Sequence, residues 1–530
     1  MTLHGSHDTL ADVAAAGPNA PAHAVPEARS TGDPDGPSGN NRSATQITLD
    51  GSTLTAAGAA ALARRSVRAE VDPAARARML RARAVAEQVV AGRRVYGHTT
   101  GVGANRTTDL AGPDADGHGM RLLRSHSGGV GAPVPAEQTR AMLAVRLNQI
   151  LGAGSAVSAA VADRLAEALG SGHVPLVHAL GSVGTADLSA LAELGLTLAG
   201  ELPWRQGEGE GPAPAAIALD TWDALPLMSS SALTIGQTAL AHTDTAALLD
   251  LVPLIAALSL TAVRGSTEPY AAAVHSRRPH RGAVRTADRM RSLLEPVGWT
   301  PALVQDPFGF RCLPQVHGAA LDALDALDAV LDVELIAAAE NPLLSLDPAD
   351  YHHHGGFHQA SLALALDQAR LAVLGTAQLS TARLGVLAAP SFTGLPAFLA
   401  EDAEGSSGIM IVEYAAASAL AELRGAAQPV TLGHAVLSRG VEEHASFAAT
   451  GARRLTESVG HLRLVLACEL LAAVRALRMQ RRAPADRPSE LGRFQRAAER
   501  VLDPGTADRK LTADVEAATA LLDRWAAGRR

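Results

Sequence analysis

The strongest regularity along the chain has the period of a helix. Leu321, Leu324, Leu327 and Leu331 recur at intervals of 3, 3 and 4, and Asp322, Asp325, Asp328 and Asp332 repeat at the same spacing beside them. That spacing puts the leucines on one face and the aspartates on the adjoining, solvent-facing stripe. Residues 234–264, 359–388, 408–426 and 443–480 are mostly Ala and Leu with few charges. Helices nearly apolar all round must be buried in a thick bundle or between subunits, and alanine lets their axes approach closely. Shorter helices are predicted over residues 74–92, 136–152 and 157–170. A last amphipathic helix is predicted over 509–527, after a loop at 483–495. The β-branched and aromatic runs of a large sheet are scarce. The pattern predicts an all-α protein built on a central bundle of long helices.

Four regions follow. Residues 1–45, rich in Gly, Pro, Ser, Asp and Asn, cannot bury a core and read as a disordered tail. Residues 46–230 form a loop-rich helical domain, entered by a short extended segment near Thr48. Residues 231–482 form the long-helix bundle, and 483–530 a C-terminal loop and helix.

Composition narrows the function classes. A net charge of −8 with acids and bases interspersed points to neither nucleic acid nor an anionic membrane. Only Cys312 and Cys468 are present, which implies no disulfide framework and fits a reducing cytoplasm. No signal-peptide layout opens the chain. The longest uninterrupted apolar run, 251–263, is too short to span a bilayer and contains Pro253. A cytoplasmic protein without membrane partners is expected.

Glycine-rich loops interrupt the helical pattern at 96–103, 125–131 and 181–184, and 206–214 reads as a surface loop. Asp187 stands where a helix starts at Leu188. It is a natural N-cap, its carboxylate positioned to accept from the free N–H groups of that helix's first turn. His352, His353 and His354 could suggest a metal, but consecutive histidines cannot all face one ion, so a solvent loop is expected.

These loops carry a resemblance. Gly-Ser-Val-Gly at 181–184, followed by Thr185, Ala186, Asp187 and Leu188, resembles the cofactor loop of the histidine and aromatic amino-acid ammonia-lyases. In that family Gly-Ser-Val-Gly leads into Ala-Ser-Gly, which cyclises into a methylidene-imidazolone electrophile, and then Asp-Leu. Here the loop is one residue shorter and Thr185-Ala186 stand in place of the triad. Gln-Asp-Pro-Phe-Gly-Phe-Arg-Cys-Leu-Pro-Gln at 305–315 is the most specific match, to a family run Gln-Asp-Pro-Tyr-x-x-Arg-Cys-x-Pro-Gln. Val-Tyr-Gly-His-Thr-Thr-Gly-Val-Gly at 95–103, Ser125-His126, Leu-Met-Ser-Ser-Ser at 227–231, the run 334–343, Gly-Phe-His-Gln at 356–359 and Val-Glu-Glu-His at 441–444 match further elements in order.

The resemblance implies a role for each residue. Tyr96 matches a catalytic tyrosine base, which a phenol can be only if its pKa is lowered, and Thr99 replaces an Asn beside it. His126 lines the substrate pocket and can exchange protons. Glu442 faces the substrate amine. Arg311 grips a carboxylate through its planar fork, with Gln305 beside it, while Phe308 replaces a tyrosine hydroxyl with an aromatic wall. Ser229 replaces an asparagine that supports the electrophile, and Ile336-Ala337 replace an Asn-Ser pair. Taken alone, Tyr96 could simply anchor a glycine turn, Arg311 could form a structural ion pair, and Glu442 could be a surface acid.

Without the triad, the expected cofactor is none. Two readings then stand. One is a lyase acting by Tyr/His acid–base catalysis on a carboxylate-bearing, amino-acid-like small molecule, by elimination, addition, isomerisation or cyclisation. The other is a catalytically inactive relative acting as a binding or assembly partner. The resemblance also implies a homotetramer with sites shared between subunits.

Overall fold

Long helices dominate because their apolar positions have only each other to pack against. The computed structural model describes residues 46–110, 117–206, 212–295, 298–401, 404–482 and 489–527; the tail expected at 1–45 and much of the loop at 206–214 lie outside them. Contacts make Ala44–Arg530 one compact unit. Its axis is the helix Ala448–Met479, whose second half is buried almost continuously from Val465 to Leu477. Ala360–Ala388, Met410–Ala426 and Ala232–Leu249 pack around it, with Leu313–Glu334 against Ala360–Ala388 and Ala136–Leu151 against Ala232–Leu249. The strands are short two-stranded ribbons, such as Leu343–Leu346 antiparallel to Ala349–His352. The all-α expectation holds.

Small residues set how near the helices come. A Cβ on Gly282 would lie 1.9 Å from the Gly318 carbonyl oxygen. The helices Arg281–Leu294 and Leu313–Glu334 therefore meet backbone to backbone, which no side chain at either glycine would allow. The leucine stripe 321–331 is buried as predicted. The aspartate stripe divides. Asp325 and Asp332 are exposed, while half-buried Asp322 accepts from Gly282 N–H at 2.8 Å and Asp328 faces His242 at 3.6 Å.

Three expectations change. The stretch 234–264 is two helices, Ala232–Leu249 and Val252–Val263, because Pro253 lacks the N–H needed to continue the first and sits comfortably in the opening turn of the second. The loop expected at 483–495 ends early. Ser489 accepts from Gly492 N–H, and a helix, Glu490–Val501, buries Leu491, Phe494, Ala497 and Ala498. Two helical stretches, 224–263 and 360–388, are also long and apolar enough to cross a membrane by length and composition. The most apolar part of the first is 78% buried within the protein and that of the second 44%, so the first is core and the second turns much of its apolar surface outward.

A buried ion pair locks the bundle. Arg383 and Glu469 are fully buried, 2.6 Å apart, and Ser259 and Ser380 also donate to the Glu469 carboxylate. Removing one partner strands the other charge without water, so Glu469→Ala should cost about 3–5 kcal/mol in denaturant unfolding. Acid should also destabilise the fold. Burial pushes His98, packed 4.5 Å from the Trp222 ring, down to about 4 from its ordinary 6.5. The folded state therefore resists a proton that the unfolded state accepts. His98 should leave stability untouched above pH 6.5 and reduce it as pH falls from 6.5 towards 4. Unfolding curves of His98→Phe across that range should be flatter than those of the parent.

Candidate functional site

The cleft is assembled from loops that end at one short turn. Gly184 has φ +86°, and a Cβ there would sit 2.1 Å from Ser446 Oγ, so only glycine fits. Its carbonyl accepts from Ser446 Oγ at 2.9 Å and from Gln359 N–H at 3.3 Å, and the Val183 carbonyl accepts from Phe447 N–H at 2.8 Å. The loops before the helices Ala360–Ala388 and Ala448–Met479 are thereby both pinned to the turn 183–184. Just beyond it, Ala186 is held at φ +92°, a strained setting for a residue with a Cβ, and its carbonyl accepts from Ser182 Oγ.

Asp187 does not cap its own helix. Its carboxylate accepts from Thr234 N–H at 2.8 Å and Thr234 Oγ1 at 2.9 Å, thus capping the first turn of Ala232–Leu249 instead. It lies 1% exposed beneath the turn, and burial raises its pKa, partly offset by those hydrogen bonds. Thr185 and Ala186, by contrast, line a cavity of 490 Å³ together with Tyr96, Ser229 and Glu442. A second cavity of 680 Å³ shares Tyr96 and Glu442 with it and adds Ser125 and His126.

Tyr96 is set by its loop. Thr99 Oγ1 accepts from Val95 N–H, His353 Nε2 accepts from Tyr96 N–H at 3.1 Å, and the Tyr96 hydroxyl accepts from Gly103 N–H at 2.6 Å. Burial dominates and holds the phenol above its ordinary 10.0; Glu442 pushes the same way, while the Gly103 N–H and Arg106 pull against it. The lowered pKa that a tyrosine base requires is not what this setting supplies. His126 Nδ1 lies 2.9 Å from the Leu122 carbonyl oxygen and 3.1 Å from Ser125 Oγ. Ser229 Oγ accepts from Asn341 N–H at 2.9 Å, fixing the turn that carries Asn341 into the cavity.

Arg311, Phe308 and Gln305 lie apart from these residues. Arg311 donates to Gln305 Oε1 at 2.8 Å and stacks 4.6 Å over the Phe308 ring, on a surface where Phe308 is 63% and Val304 92% exposed. The aromatic wall faces outward and lines neither cavity in the same chain. The three consecutive histidines take separate partners. His352 meets Ser345, His353 the Tyr96 amide, and His354 the Glu340 carbonyl. No cluster of metal-ligating residues occurs among the described residues. Sequence reasoning missed Arg106, Asn341, His358 and His444, which all line the 490 Å³ cavity. The last three lie within runs that carry the resemblance, and only their convergence on one cavity distinguishes them.

Comparison with known proteins fits this geometry. The sequence model of the family described as aromatic amino acid lyase matches residues 54–502. A histidine ammonia-lyase of Treponema denticola is 34% identical over 444 residues, 81% of this chain and 88% of that protein. One from Anaeromyxobacter dehalogenans is 34% identical over 91% of this chain and 99% of its own. Among solved structures, histidine ammonia-lyase from Trypanosoma cruzi superposes with a TM-score of 0.82 at 28% identity, covering 90% of this chain and 93% of that one. Tyrosine aminomutase from Streptomyces globisporus gives 0.84 at 26%, covering 91% and 98%.

These relatives correct the expectation of no cofactor, because histidine ammonia-lyases about a third identical over most of the chain point to the family that uses methylidene-imidazolone. The turn holds Thr185, Ala186 at φ +92° and the buried Asp187. Matched from 54 to 502 and a third identical to these enzymes along more than four-fifths of its length, the chain belongs to the aromatic amino acid lyase family and is a lyase.

Proposed function

We propose that the cleft eliminates an amine across two adjacent carbons of an amino-acid-like carboxylate, or adds it back. The observation that carries this is the placement of Tyr96 and Glu442 on one 490 Å³ cavity with the turn 185–186 and Ser229. Glu442 accepts the proton leaving carbon. The C–H electrons form the double bond, and the substrate's protonated amine leaves as neutral ammonia with the C–N electrons. Tyr96, kept protonated by burial, donates a hydrogen bond within the same cavity. His126 closes the adjoining cavity and orients the remainder of the substrate. Elimination followed by re-addition at the other carbon would give isomerisation, as the name tyrosine aminomutase describes for a relative of the same shape.

The carboxylate partner follows from what the protomer leaves outside. Arg311 stands on an exposed apolar surface with Val304 and Phe308, and Leu364, Ile411 and Tyr414 expose more than half their area on the long helices. Such surface on bundle helices suits burial against further copies. The assembly we propose is a homotetramer in which Arg311 of one subunit completes the cleft of another.

Substrate screening should find turnover of an amino-acid-like carboxylate, seen as released ammonia. Tyr96→Phe should lower kcat/KM by about 10²–10⁴-fold. Because the phenol stays protonated beyond pH 10.0, the limb of the parent's pH–rate profile that depends on Tyr96 should fall only above that value; a limb due to Tyr96 near neutrality would refute the donor role. Tyr96→Phe and Arg311→Gln chains, each strongly impaired alone, should regain up to about a quarter of parental activity when co-assembled, since mixed interfaces form some intact sites. Separate sites would restore nothing.

A further inference from the structure

The two loops pinned to the turn 183–184 bring two imidazoles into contact. His358 Nε2 and His444 Nδ1 are 3.1 Å apart, with ring centroids 5.1 Å apart and planes inclined at 40°. At that separation one nitrogen donates and the other accepts. The contact is built rather than accidental. Gln359, next to His358, donates its N–H to the Gly184 carbonyl and its side-chain amide to Glu334 at 2.9 Å. Two residues after His444, Ser446 donates to the same Gly184 carbonyl. Both rings line the 490 Å³ cavity, His358 half-buried and His444 exposed. Among the described residues, the outer nitrogens, His358 Nδ1 and His444 Nε2, have no hydrogen-bond partner.

We propose that His358 and His444 form a proton relay between the cavity and solvent. This rests on the elimination described above, which leaves a proton on Glu442 that must depart before the next turnover. Glu442 lines the cavity with the pair, as do Tyr96, Arg106 and Glu443. His358 takes the proton at its outer nitrogen and passes its inner proton along the 3.1 Å line. His444 then releases one from its outer nitrogen to water. One proton enters and one leaves, no electrons move, and the rings return by exchanging tautomers. Only one proton fits along the 3.1 Å line between the facing nitrogens, so the pair passes protons one at a time.

The test uses the assembled full-length enzyme and whichever substrate it turns over. His444→Gln keeps a polar side chain at the exposed end and should lower kcat on the order of 10-fold or more with KM little changed. Imidazole added to the buffer should restore kcat saturably in His444→Gln and leave the parent and Tyr96→Phe unaffected. A merely structural histidine would show no such rescue. His358→Gln should behave alike, and if it does not fold, His444→Gln decides. Activity within twofold of the parent in His444→Gln, or a loss that imidazole does not relieve, overturns the relay while leaving the lyase reading intact. A parent enzyme that turns over no amino-acid-like carboxylate overturns the lyase reading and the relay with it.

Discussion

The cleft depends on a charge pair that water never reaches. Arg146 and Glu340 are each 1% exposed and 2.9 Å apart. The guanidinium also donates to the carbonyls of Pro226 and Leu227 and to Gln149 Oε1, and Gln149 accepts in turn from Ser230 Oγ. One arginine on the helix Ala136–Leu151 thus holds the segment 226–230 and the turn at 340–341 in register. Those two pieces present Ser229 and Asn341 to the cavity, and the Ser230 carbonyl accepts from Asp187 N–H. Burying ions is costly unless they are paired and hydrogen-bonded. The guanidinium meets that requirement through the carbonyls of Pro226 and Leu227 and through Gln149, which is how it fixes the segment 226–230 beside the cavity.

Much of the architecture was legible because the long helices are driven by periodicity and by alanine. The stripe at 321–331 and the apolar stretches near 359–388 and 443–480 became helices within a few residues of their predicted ends. The helix Glu490–Val501 escaped notice because Arg and Pro crowd the stretch before it, although Leu491, Phe494, Ala497 and Ala498 hold helical spacing. Asp187 shows the deeper limit. An aspartate before a helix looks like that helix's cap, yet a helix 45 residues later offered its carboxylate better-placed donors. Nothing local to residues 181–191 encodes that choice.

The site itself was legible as motifs but not as a surface. Tyr96, Ser229 and Glu442, identified by resemblance, do meet on one cavity. Arg311 carries the most specific motif and stands elsewhere on the protomer. The absence of Ala-Ser-Gly suggested a chain without the family's cofactor, and kinship along most of its length argues against reading so much from three positions. The sign of the Tyr96 shift was invisible as well, since burial, which the loop sequence does not encode, outweighs the Gly103 N–H of its own loop.

The turn at Gly184 has a consequence for how this molecule comes into being. Its carbonyl is gripped by residues 359 and 446, and its neighbour's by residue 447, so three distant parts of the chain must arrive together. A nascent chain that has made its first half displays the glycine turn with nothing to hold it. The cavity-lining turn 185–186 thus takes its shape from segments about 175 to 260 residues further along the chain, so a local sequence change at 359 or 446 reaches the cleft through a single carbonyl.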